Sequence, residues 1–277
     1  MPELDNSNLY GTNLILVPEL MAADNYITFQ GTFANLRDIS RRLTKVDNTT
    51  AEGIWREAYQ AINQANLVLD ALPVVTSATS KATFEGEARF IRGDMYFELV
   101  RLFAKQYNAT TAQSDLGVPI NLTPVRTVEE ANRKVARSTV AQVYAQVIDD
   151  LTKAVALLPK TNGTRATRDA AKALLARVYL QQSNFAQALT LSDDVIKTSG
   201  RSLAPTVGAV FTGRNTSESL FEIQQNDQNN AGTANAGLAT HFASIGQARP
   251  GRRTGRCAFC QPVWAERCSW DGSTTLQ

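Results

Sequence analysis

The chain has 277 residues, of which 43% are hydrophobic and 19% are charged, a composition typical of a globular protein and not of a disordered one. The 28 Lys and Arg residues against 26 Asp and Glu residues give a net charge of +2. This charge is too small to indicate a nucleic-acid or anionic-membrane partner. All three cysteines lie within the last stretch of the chain, so disulfides cannot stabilise the rest of it.

The sequence of the N-terminal region predicts no targeting segment. Arg37 is the first basic residue, and the apolar run over residues 14–23 is short and interrupted by Pro18 and Glu19. Such a run is neither a signal sequence nor a membrane span. If Met1 is the native start, these observations predict a cytoplasmic protein.

Two long amphipathic helices are predicted next. Apolar residues recur at steps of three and four over residues 53–72, which places them on one helix face. A similar stripe runs over residues 83–105, where additional aromatic residues predict packing on more than one side. On the first stripe, Asn66 is expected to be a buried amide bonded to a loop backbone, with a ligand contact as the alternative.

A long connection over residues 106–136, rich in Asn, Gly and Pro, leads to three further helices. Ser138 or Thr139 is expected to cap a helix that Pro159 ends. Residues 169–182 and 185–196 then read as a helix pair with a small-residue interface and a short turn. This pair resembles a tetratricopeptide unit, and the absence of a strict period predicts an irregular all-α array.

Few residues point to catalysis or metal binding. His241 is the only histidine, which makes a hydrolytic triad improbable, and its polar surroundings predict a solvent-facing side chain. Cys257 and Cys260 form an isolated C-x-x-C pair, a weak metal or redox signal. The adjacent acids 149–150 and 193–194 are expected to lie on solvated helix surfaces. The sequence therefore predicts no catalytic residue, metal or cofactor.

The aromatic segment, residues 24–35, is the candidate ligand-binding region. It reads DNYITFQGTFAN and has no clear helix signal. Aromatic faces suit the C–H faces of sugar rings, and amides suit their hydroxyl groups. The candidate residues are Tyr26, Phe29, Gln30, Phe33 and Asn35. The alternative is that these aromatic rings fold onto the helices as core.

Several strings together resemble the signatures of the RagB/SusD family, in the family's order. They are WREAYQAINQANLVLDALP, GEARFIRGDMYFELVRLFA, DLGVPINL, RSTVAQVYAQVIDDLTKAVALLP, RDAAKALLARVYLQQSNFAQAL and SESLFEIQ. The resemblance covers residues 9–226, and the ordered set is far more specific than any one motif. It implies a SusD-like helical domain over residues 1–248, with a tetratricopeptide-like core at about 50–200, that lacks most of the family's second half.

The resemblance also implies a function. Members of this family are lipoproteins facing outward from the bacterial outer membrane, where they capture glycans, or in some cases peptides, for a SusC-like TonB-dependent transporter. The signal peptide and lipidated cysteine of the family are not seen in this chain. A cytoplasmic tetratricopeptide scaffold for protein–protein interaction and a glycoside hydrolase are the alternatives, and the hydrolase would need two carboxylates across a cleft.

The tail, residues 249–277, differs from the rest of the chain in several respects at once. It holds all the cysteines, two of the three tryptophans and five arginines, and it lacks helical periodicity. A frameshift in a GC-rich gene gives this pattern, and it predicts a disordered, non-native tail. The alternative is a small metal or redox appendage built on Cys257 and Cys260. Translation of the other two frames from about residue 246 distinguishes them, since the frameshift requires a family-like continuation.

Overall fold

The structure is a computed structural model that describes residues 4–22, 29, 31–211, 213–225, 237–238 and 241. In this described part, helices are joined by turns, strands are absent, and one isolated antiparallel bridge joins Leu116 and Thr139. The predicted all-α class is therefore confirmed. The chain divides into two compact units, which are residues 2–54 with 225–277 and residues 55–224.

The first unit, residues 2–54 with 225–277, contains two helices that the sequence analysis did not predict. Helix α1 spans Asn13–Ala22 and α2 spans Ala34–Ser40, and the two pack together. Pro18 lies inside α1, where it removes one backbone donor. Burial of four aliphatic side chains outweighs that loss, and these are Leu14, Leu16, Val17 and Leu20.

Helix α3, Thr49–Ala71, begins in the first unit and continues into the second. Asn48 caps it, because its Oδ1 accepts hydrogen bonds from the backbone N–H groups of Thr50 and Ala51 at 3.1 Å each. Asn48 is itself buried, so this cap is fixed in the interior of the first unit.

The second unit, residues 55–224, holds most of the helices. After α3 and a 3₁₀ turn at Leu72–Val74 come α4 (Ala78–Phe103), α5 (Val128–Ala131), α6 (Val140–Leu157), α7 (Arg168–Gln181), α8 (Phe185–Thr198) and α9 (Val207–Phe211). The helices predicted near 53–72, 83–105, 138–158, 169–182 and 185–196 are confirmed. The one-turn helix α5 was not predicted, because its capping box of Thr127 and Glu130 lies within a connection without periodicity.

Helix ends in the second unit follow their local sequence. Thr139, one of the two predicted caps, caps α6, and the Gln142 side chain accepts a hydrogen bond from the Thr139 backbone N–H to complete a capping box. Thr167 caps α7, and Asn184 caps α8 across a short turn in which Ser183 has a φ of 58°. These two N-caps define where the helices of the last pair begin.

Helices α3 and α4 run antiparallel. Along α3 and α4, the ring of Trp55 lies 5.0 Å from that of Phe103, while Asn66, further along α3, meets Arg92. Helix α4 packs most extensively on α6, and its two glycines allow close approach. A Cβ at Gly86 would come within 2.9 Å of Leu158, and one at Gly93 within 3.1 Å of Leu151.

A buried ion pair joins α4 to α6. Arg92, which is 5% exposed, donates from Nε and Nη2 to the two carboxylate oxygens of Asp150 at 2.9 and 2.7 Å. Arg89 donates to the same carboxylate at 3.1 Å. Asp150 is fully buried, so the prediction of a solvated surface was wrong for it, whereas Asp149 does lie at the surface beside Lys153. Adjacent helical residues point in different directions, and here one points inward.

The remaining Arg92 nitrogen connects this ion pair to α3. Its Nη1 donates to Asn66 Oδ1 at 2.8 Å, and Asn66 Nδ2 donates to the backbone oxygens of Asn121 and Thr123 at 3.0 and 3.4 Å. The prediction that Asn66 is a buried amide bonded to a loop backbone is confirmed. One continuous polar network thus joins three helices and the long connection.

Four polar side chains of α3 hold that connection in place, and we name them the α3 polar ladder. They are Tyr59, Asn63, Asn66 and Asp70, at spacings of four, three and four residues on one helix face. Tyr59 donates to the Pro119 carbonyl, and Asn63 bonds both backbone groups of Val125. Asn66 donates to the carbonyls of the connection named above, and Asp70 accepts from the Arg126 guanidinium. The connection is therefore a fixed part of the unit despite its lack of regular structure.

Tyr96 of α4 also binds the same connection through hydrogen bonds. Its hydroxyl donates to the Asn121 carbonyl and accepts from the Asn121 N–H, both at 2.8 Å. Burial raises the pKa of Tyr96 to about 12. The phenol therefore stays protonated at neutral pH and keeps its role as a donor.

We expect Asp150→Ala to lower the free energy of unfolding by ~3–5 kcal/mol, because it leaves the buried Arg92 charge without its partner. Asp149→Ala is the matched control on the next residue, and it removes only an exposed pair with an effect below about 0.5 kcal/mol. Urea denaturation of both variants measures this difference. Equal losses would mean that the Arg92–Asp150 pair does not hold α4 and α6 together.

Candidate functional site

The described part of the aromatic segment is Phe29 with residues 31–35, all in the first unit. Tyr26 and Gln30 lie outside the described residues. Phe33, Phe29 and Asn35 are therefore the candidate residues whose positions the structure gives. They have three different environments.

Phe29 is an interior residue. It is 7% exposed, and a Cβ on Gly31 would come within 2.6 Å of its ring. The ring thus lies against the backbone of Gly31, which has no side chain to displace it. Phe29 occupies the position that the core alternative predicts for a loop aromatic.

Phe33 is the outward-facing ring among the described aromatic residues of the segment. It is 41% exposed and precedes α2 as its N-cap residue, with extended backbone at φ −68° and ψ 106°. Its ring lies beside the imidazole of His241, with centroids 6.2 Å apart and planes at 56°. That separation is within the range of aromatic pairs. Phe33 therefore offers an apolar surface to solvent while its ring is supported on another side.

Hydrogen bonds hold the backbone on both sides of Phe33. Arg37 Nη2 donates to the Gly31 carbonyl at 3.2 Å, and Asn48 Nδ2 donates to the Asn35 carbonyl at 3.0 Å. The Asn35 side chain donates in turn to Thr49 Oγ1. In this structure the Asn35 amide group connects the segment to the start of α3, and the position of Phe33 is set by α2 and α3.

His241 is the residue of this region that the sequence analysis placed wrongly. It is 5% exposed instead of solvent-facing, and nearby Gly237 is also buried. More than two hundred residues separate His241 from Phe33 along the chain. No periodic pattern marks such a position, so only the folded chain reveals it.

Three carboxylates of the helical unit are paired with basic side chains. Asp150 pairs with Arg92, Glu98 with Arg101 at 2.8 Å, and Asp194 on α8 with Lys172 on α7. Among the described residues there is no cluster of His, Cys, Asp and Glu that would hold a metal ion. Cys257, Cys260 and Cys268 all lie outside that part of the chain.

The long, ordered helices and the exposed Phe33 surface can be compared with known proteins. A model of the SusD-like family, described as starch-binding and associating with the outer membrane, matches residues 14–180, which is more than half of the chain. The chain belongs to the SusD-like family. The matched residues include α1 and α2 as well as most of the helical unit, so the family resemblance seen in the sequence strings is confirmed.

Individual relatives agree with this assignment. A SusD-like protein of Formosa agariphila is 25% identical over 184 residues, which cover 65% of this chain and 32% of that protein. A crystal structure of a SusD superfamily protein from Bacteroides thetaiotaomicron is 28% identical, with a TM-score of 0.77, and the match covers 88% of this chain and 55% of that one. The chain thus spans about a third of the curated relative and about half of the solved one.

A third relative is described as a laminarin-binding SusD-like protein. It is 23% identical with a TM-score of 0.60, and the match covers 76% of this chain and 49% of that one. At this identity the likeness shows the shared fold. Within the described residues of the present chain, no helix combines the length and apolar character needed to cross a membrane.

We expect Phe29→Ala to lower the free energy of unfolding by ~3 kcal/mol or more, because it removes a buried ring. Phe33→Ala is the matched substitution on an exposed ring, and its effect is expected to stay below about 1 kcal/mol. Thermal and urea denaturation of the two variants provide the comparison. A larger loss for Phe33→Ala would assign that ring to the core and remove it from the candidate site.

Proposed function

We propose that this chain captures glycans at the outer membrane and is a binding protein, not an enzyme. The observation that supports the proposal best is an exposed aromatic ring, Phe33, on a firmly held backbone within a family described as starch-binding. An aromatic face of this kind stacks on the C–H face of a sugar ring. Because hydrogen bonds already hold the backbone, little ordering is needed when the ligand binds.

The five candidate residues then have different roles. Phe33 provides the stacking surface. Phe29 holds the segment by packing in the interior, and Asn35 holds it by its hydrogen bond to the start of α3. Tyr26 and Gln30 are proposed as further contacts, since their ring and amide groups match sugar C–H and hydroxyl chemistry. The proposed ligands are glucans, because the family description names starch and one structural relative is described as binding laminarin.

We expect calorimetry to detect binding of maltoheptaose, laminarihexaose or both to the 277-residue chain. Phe33→Ala should weaken the binding about 10-fold or more, because it removes the apolar contact of a stacked ring. Phe185→Ala on α8 is the matched control, since Phe185 is an exposed ring in the other unit. A wild-type chain that binds neither glucan would contradict the proposal, and binding of a casein digest alone would favour peptides as ligands.

We also propose that the captured ligand is passed to a SusC-like TonB-dependent transporter, in line with the outer-membrane association of the family. A gene for such a barrel next to the gene of this chain, and co-purification of the two proteins, are the expected results. A gene neighbourhood without a barrel and purification without a partner would count against it. The cytoplasmic scaffold alternative has less support, because the family description places its members at the outer membrane.

A further inference from the structure

His241 lies beside Phe33, which is the exposed ring among the described residues of the candidate site. The Phe33 and His241 rings lie 6.2 Å apart, and both residues belong to the first unit. Their exposures differ sharply, at 41% for Phe33 and 5% for His241. The imidazole is therefore an inner neighbour of the ring that faces solvent.

Backbone hydrogen bonds alone do not orient the Phe33 ring. The bonds at Gly31 and Asn35 fix the path of the main chain, but rotation about the two side-chain torsions of Phe33 remains. A half-exposed ring is held in one rotamer by less packing than a buried ring. Contact with a buried ring on one side restricts that rotation and leaves another side open to a ligand.

We propose that His241 is a positioning residue, which holds the Phe33 ring in the orientation that stacks on a sugar. This inference rests on the proposed glycan-binding function and adds a residue to that site from a distant part of the chain. Direct hydrogen bonding from His241 to the ligand is disfavoured by its low exposure. Its contribution is to remove side-chain freedom that the ligand would otherwise have to restrict.

Glycan affinity of four variants tests the proposal. Fixing one side chain in advance is worth about a 3- to 10-fold gain in affinity, so His241→Ala is expected to weaken binding by that factor. His241→Phe keeps a flat ring beside Phe33 and is expected to restore most of the affinity. In the Phe33→Ala background, His241→Ala is expected to cause no further loss of affinity, because His241 acts only through the Phe33 ring.

Three results in this series would overturn the proposal. One is an unchanged affinity of His241→Ala, which would show that the Phe33 ring needs no such support. Another is failure of His241→Phe to restore binding, which would indicate a role for the imidazole nitrogens. The third is an additive loss in the double variant, which would mean that His241 acts independently of Phe33. Circular dichroism of each variant separates these effects from loss of folding.

A ligand-free measurement distinguishes failure of this inference from failure of the proposed function. With 4-fluorophenylalanine at position 33, the ¹⁹F resonance is expected to lie away from the random-coil position in the wild type. It should move toward random coil in His241→Ala and return in His241→Phe. A resonance that His241→Ala leaves in place would refute the positioning role whether or not glycans bind. Absence of glycan binding with the expected ¹⁹F shifts would refute the proposed function alone.

Discussion

The helical unit is organised around the ion pair of Arg92 and Asp150. Two charges removed from water are stabilised only when each finds partners in good geometry. Here the Asp150 carboxylate accepts hydrogen bonds from Arg92, Arg89 and Gln146, and Arg92 also donates from Nη1 to Asn66. A shift of α3, α4 or α6 along its axis would break at least one of these bonds. The ion pair thus fixes the register of three helices, a specificity that apolar packing alone supplies less strictly.

The sequence predicts best those features, such as helix positions and helix ends, that depend on local pattern. Helical periodicity and terminal residues such as Thr139 and Pro159 were enough to place the long helices, and small residues indicated the last helix pair. Helix α1 was missed because Pro18 argues against a helix when its tertiary burial is unknown. Asp150 was misplaced because a solvated and a buried carboxylate look the same in a helical pattern. The buried partner, Arg92, is distant in sequence.

In the candidate site, too, some features follow from the local sequence and others only from the folded chain. The aromatic segment was found from its composition, and the structure separates its members into the buried Phe29 and the exposed Phe33, a distinction that no spacing rule gives for a loop. His241 comes from a distant part of the chain, so its approach to Phe33 is a property of the folded unit. A site whose ring and support are so far apart in sequence can change its ligand preference through either part.

The α3 polar ladder also bears on the order in which the unit folds. Its hydrogen bonds to residues 119–125 join groups 55 to 62 residues apart, whereas α3 and α4 are joined by a short turn. Closing a long loop costs more chain entropy than forming a hairpin of neighbouring helices. The connection is therefore expected to dock late, onto a preformed helical template. Loss of Asn63 would then accelerate unfolding far more than it slows folding, and the lifetime of the native state would depend on a segment without regular secondary structure.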